Sequence, residues 1–135
     1  MDLSWLSQPR AVGRGLVTAF FAVVFLQSAI DKLVDREGNL GFFSDHFKNS
    51  AVAGLVPLMF WTLTLLEATA GGLCALGILI FDFTHEGLSV SSCGVIAAGI
   101  ALLSLLLGQR LAKDYAGAAV VAAYFAVALI GLALF

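Results

Sequence analysis

An all-α fold is predicted, a four-helix transmembrane bundle running up-down-up-down. Three observations predict it. Of 135 residues, 61% are hydrophobic and 12% charged, with a mean hydropathy of +1.01. A soluble domain typically carries about 25% charged residues and has too much surface to hide this apolar excess. The apolar residues gather in four stretches, each near or above the ~20 residues that cross a ~30 Å hydrocarbon core. Two of the three connections are short, which places consecutive helices antiparallel.

A polar head, MDLSWLSQPRAVGR, comes first. Trp5 and Leu6 beside Arg10 and Arg14 have the pattern of an interfacial anchor. The first span is expected over about 13–34. Its segment LVTAFFAVVFL (16–26) has the makings of a signal-peptide core. The apolar pattern continues into QSAIDKL without a small-residue cleavage site, so an uncleaved span starting the chain from Met1 is expected. The second span is expected over about 54–81, with Pro57 in its first turn, where a missing N–H costs least. The third is expected over about 89–108 and the fourth over about 115–135, with Asp114 as N-cap. These make one transmembrane domain over 1–135.

Loop one, 35–53, is the long connection. Leu40, Phe43 and Phe47 fall at helix-like spacing beside Asp45, Lys48 and Asn49, the pattern of a segment lying in the membrane interface. Small residues spaced four apart mark expected helix contacts: Ala118, Ala122 and Ala126, Ala68 and Gly72, Gly94 and Ala98. Loops one and three carry five Lys and Arg (Lys32, Arg36, Lys48, Arg110, Lys113) against two at the terminal side (Arg10, Arg14). The positive-inside rule then puts those loops in the cytoplasm and the termini outside. With a net charge of −2 and no basic stripe, the chain has no electrostatic footprint for nucleic acid.

Glu67 is the most informative residue. It lies about ten residues past Pro57, so roughly 15 Å into the second span. A carboxylate at such depth costs at least ~2.5 kcal/mol unless it is paired, hydrogen-bonded, hydrated or protonated. By depth, Gln27, Tyr124, Ser28 and Ser104 can converge on it in one polar pocket, with Asp31, Lys32, Arg110 and Lys113 as a charged mouth above. The functional reading is a small-molecule or proton site in which Glu67 takes or gives a proton. The bland reading is a structural knot cross-linking helices.

Cys74 and Cys93 lie toward the opposite face on consecutive spans and can come close as a thiol pair; the plainer reading is two buried thiols that pack as small hydrophobes. His46 and His85 fall on opposite sides of the membrane and cannot share a metal. No metal site is expected. No HExxH, GxGxxG or P-loop pattern occurs, and no flavin, haem or iron–sulfur site is visible.

The stretches FLQSAIDKLVD (25–35), LLEATAGGLCALG (65–77) and GQRLAKDYAGAA (108–119), in this order and spacing, resemble the DoxX family. The four-span layout resembles it too. The patterned positions are Lys32, Glu67, Gly71, Gly72, Gly77 and Asp114, and none carries an established catalytic role. The resemblance implies a multi-pass protein of the bacterial inner membrane. Family members have been linked to thiosulfate:quinone oxidoreductase, to oxidative-stress defence and to membrane redox assemblies. No cysteine pair stands at redox-motif spacing, which weakens a thiol–disulfide mechanism.

Three functions follow as expectations. The first is an accessory, quinone- or redox-linked subunit, not an enzyme on its own. It takes electrons from a partner subunit and seats a quinone against Tyr124, Gln27 and Glu67. The second is a structural or assembly subunit without ligand, docked on other membrane subunits through the fourth span and loop one. The third, a proton-linked transporter, ranks last because four short spans leave little room for alternating access and no inverted repeat is apparent.

Overall fold

The structure, a computed structural model, describes residues 2–135. Helix α1 runs Pro9–Val34, α2 Arg36–Phe47, α3 Val56–Leu79, α4 Val90–Leu111 and α5 Tyr115–Leu134. Helices α1, α3, α4 and α5 are each long and apolar enough to cross a membrane, so the chain is a multi-pass membrane protein. Local chemistry sets the ends. Pro9 and Pro57 sit in the first turns of α1 and α3, where proline removes no needed donor. Ser89 and Ser92 form a reciprocal capping box at the start of α4, and the Asp114 side chain accepts from Gly117 N at the start of α5. Lys113 turns the chain between α4 and α5 in a left-handed conformation (φ 58°).

Helix α1 begins at Pro9, earlier than the expected 13. Helix α4 continues to Leu111, and α3 stops at Leu79. At α1 and α4 the helix runs on through polar residues beyond the apolar window, whereas α3 ends early because Phe81 takes a left-handed conformation (φ 58°) that starts the turn.

Helix α1 packs chiefly on α3, α3 on α4, and α4 on α5, while α1 meets α5 and α4 more lightly. Phe21, Phe25, Ala70, Cys74, Val95, Ala98 and Leu102 form the centre of the core. Glycines on α3 and α4 permit close helix contacts, Gly77 against Ser91 among them. A methyl at Gly71 would stand 2.7 Å from Leu26 N of α1, and one at Gly94 would stand 2.7 Å from Cys74 Sγ of α3. Gly94 and Ala98 are thus buried contacts, as spacing predicts. The other two rows differ. Gly72 faces open space, and it is the neighbouring Gly71 that meets α1. On α5 Ala118 is buried, but Ala122 and Ala126 are exposed; Val121, Ala128 and Gly131 make the inward stripe instead. Spacing fixes that small residues share a face, and says nothing of which face meets a neighbour.

Loop one is a helix whose apolar side meets the bundle. The Phe43 ring packs edge-on against Phe60 of α3 at 5.6 Å, Phe47 is buried, and Phe42 is exposed. The N-terminal arginines also part company. Arg10 is exposed, but Arg14 is only 2% exposed and lies inside the bundle end. Its guanidinium donates to Phe83 O (2.7 Å), Thr84 O (3.0 Å) and Leu134 O (3.0 Å), and Glu86 lies 3.6 Å away. Arg14 therefore closes the α3–α4 turn and the end of α5 around α1, and is no interfacial anchor. Trp5 packs on the same turn, edge-on to Phe83 at 5.2 Å.

Candidate ligand site

The site starts from an ion pair. Glu67, in the middle of α3, is 2% exposed. Lys32, from the last turn of α1, is 7% exposed, and its Nζ lies 3.0 Å from Glu67 Oε2. Ser28, one helical turn before Lys32, completes a triangle: its hydroxyl donates to Glu67 Oε2 at 2.8 Å and accepts from Lys32 Nζ at 2.8 Å. The i, i+4 spacing puts Ser28 and Lys32 on one face of α1. Two charges removed from water require each other and further hydrogen bonds, and here the serine supplies both a donor and an acceptor.

The triangle lies at the wall of a cavity of about 830 Å³. Glu67, Ser28, Gln27, Ser104 and Tyr124 all line it, together with Lys32, so the polar residues grouped by depth share one space. They do not form one hydrogen-bonded network. Ser104 spends its hydroxyl on Ile100 O of its own helix (3.0 Å). Tyr124 is 38% exposed and packs edge-on against Phe20 at 5.7 Å, where α1 and α5 approach. Gln27 and Tyr124 make no side-chain hydrogen bond to any described residue, and both offer donors to the cavity. Aliphatic and aromatic side chains, Phe25, Leu63, Leu66, Leu102 and Val121 among them, complete the wall.

The charged mouth does not form. Lys32 belongs to the buried triangle, because its four-carbon stem reaches down to Glu67. Asp31 is exposed and accepts from Asn39 Nδ2 at 3.3 Å. Arg110 lies over the Tyr115 ring at 4.6 Å, a cation–π contact, and Lys113 is exposed in the turn. Nor does a bond join the thiols: Cys74 and Cys93 are both free, with Cys74 sealed against Gly94.

Helix α2 and the end of α4, which the sequence analysis did not assign to the site, also line the cavity. His46 of α2 has its Nε2 2.7 Å from Gln109 Oε1 and 3.8 Å from Asp114 Oδ2, and Phe42 stacks on its ring at 5.3 Å. This polar contact fixes α2 to the α4–α5 turn, so that Phe42, Phe43, His46 and Phe47 form one wall of the cavity. The available signal was the position of His46 three residues after Phe43 and beside Phe47, on the face that must turn inward if the phenylalanines do.

The arrangement offers an apolar cavity whose wall carries an ion pair, a tyrosine and two amides. Among the described residues no group of His, Cys, Asp and Glu is arranged to hold a metal ion. Comparison with family models, curated proteins and solved structures returned no match for this chain.

Proposed function

We propose that the chain is a membrane subunit that binds a ring-headed apolar lipid of the quinone class beside Glu67, as an accessory to a membrane redox assembly. The observation that carries this reading is a buried Glu67–Lys32–Ser28 triangle on the wall of an apolar cavity within a membrane bundle. Ligand sites in general are mostly apolar clefts of ~300–1,000 Å³ with a few convergent polar groups, and this cavity fits that description. An ionisable residue in mid-span points to function by default. The resemblance to the DoxX family supports the same reading, and with it a place in a bacterial inner membrane. The chain's own residues would orient the ring and hold a proton at the Glu67 carboxylate, while electrons move on a partner subunit.

Purified protein in lipid nanodiscs, titrated with decylubiquinone and separately with decylubiquinol, tests this. Saturable binding of either form by the wild type that weakens in Glu67→Gln supports the proposal. Absence of binding by both forms, or equal binding by the variant, overturns it.

A second reading, a structural subunit, has one observation in its favour. Ala119, Ala122, Ala123 and Ala126 leave a small-residue face of α5 exposed, suited to a helix of another subunit. Native purification from the source membrane separates the two: a monodisperse chain without partner counts against it.

A further inference from the structure

The two polar atoms that the triangle leaves open define the group that completes it. Glu67 Oε2 accepts from both Ser28 and Lys32. Glu67 Oε1 accepts from none of the described residues and is not among the sealed, unpartnered polar atoms, so it keeps access to the cavity that Glu67 lines. Lys32 Nζ carries three donors, of which Ser28 and Glu67 take two, and Lys32 lines the same cavity. The triangle therefore presents one free acceptor and one free donor.

A carbonyl meets the lysine and leaves Oε1 unpaired. An ammonium meets the carboxylate and repels the lysine. A hydroxyl meets both, donating to Oε1 and accepting from Nζ. We infer that the site selects a hydroxyl-headed apolar ligand: in terms of the proposed function, on which this inference rests, the quinol in preference to the quinone. The discrimination is strong in principle. A buried acceptor left without its donor weakens a complex by about tenfold or more, and sites built around a ligand hydroxyl reject analogues that lack it.

The test compares four probes on the wild-type protein in nanodiscs under anaerobic conditions: decylubiquinol, decylubiquinone, the dimethyl ether of the quinol, and dodecanol. The ether keeps the oxygens as acceptors and removes the donors, so it isolates the demand of Oε1. Decylubiquinol should bind about tenfold or more tighter than both the quinone and the ether, and Glu67→Gln should narrow that gap. Dodecanol binding tighter than the quinol would keep the hydroxyl preference and remove the ring-lipid reading. Quinol and quinone binding alike, or the quinone tighter, would overturn the inference and leave the proposed function standing. Binding of none of the four would remove both. The comparison among probes needs no variant, so a failure of Glu67→Gln to fold does not blunt it.

Discussion

Lys32 Nζ and Glu67 Oε2 stand 3.0 Å apart and join α1 to α3 across 35 residues of sequence. Both groups are buried, so each is the other's replacement for water. Removing one leaves an uncompensated charge in a low-dielectric interior, which generally costs about 3–5 kcal/mol. Lys32→Met and Glu67→Leu should each destabilise the protein by that order in thermal or denaturant unfolding in detergent. The double variant should be markedly more stable than either single one, because it removes both charges. Additive losses would show that the two residues act independently.

Arg14 serves the other end of the bundle in a different way. Its fork of donors reaches three backbone carbonyls, those of Phe83, Thr84 and Leu134, which accept from no other donor among the described residues outside regular helix pairing. Lysine cannot reproduce that fork. Arg14→Lys should therefore destabilise the protein by about 1–3 kcal/mol, the usual cost of stranding buried polar groups, whereas Arg10→Lys, at an exposed site, should lie within about 0.5 kcal/mol of wild type. A shared thermal-shift series reads both.

These two cations also show how far the sequence could be read. Apolar stretches of spanning length are a one-dimensional property, so the helices and their antiparallel order followed from composition and loop length. Depth along a helix is one-dimensional too, and it grouped Glu67, Gln27, Ser28, Ser104 and Tyr124, which line one cavity. Rotation about the helix axis and side-chain reach are not visible in depth. Lys32 looked like part of a rim because its Cα is near the loop, but its stem carries the charge inward. Arg14 looked like an interfacial anchor for the same reason, and its burial depends on carbonyls from two distant segments. The facing of the α5 alanines was equally undetermined.

Gly71 and Gly72 give a sharp test of that rotational assignment. They are neighbours in sequence and both are helical, so their propensity effects are alike. A methyl at Gly71 would strike the α1 backbone at Leu26, while one at Gly72 meets nothing within 4 Å. Gly72→Ala should be neutral or stabilising by up to about 1 kcal/mol. Gly71→Ala should lose about 1–3 kcal/mol through forced separation of α1 and α3. Equal effects in an unfolding assay would mean that α3 is rotated relative to this packing.

Orientation in the membrane follows from the same buried cations. The loop-one and loop-three side carries five Lys and Arg in sequence, and the terminal side two. Lys32 is neutralised within the bundle by Glu67, and Arg14 is enclosed by carbonyls with Glu86 nearby, so neither acts as a free surface charge. That leaves Arg36, Lys48, Arg110 and Lys113 on one side against Arg10 on the other. The ratio favours loops one and three in the cytoplasm more strongly than the raw count does. In a background with Cys74→Ala and Cys93→Ser, single Asn49→Cys and His85→Cys variants report the two sides. A membrane-impermeant maleimide applied to intact cells should label His85→Cys at once and Asn49→Cys only after lysis. The reverse pattern would place both termini in the cytoplasm, and with them the Arg14 closure, leaving α2 and its wall of the cavity on the outer side.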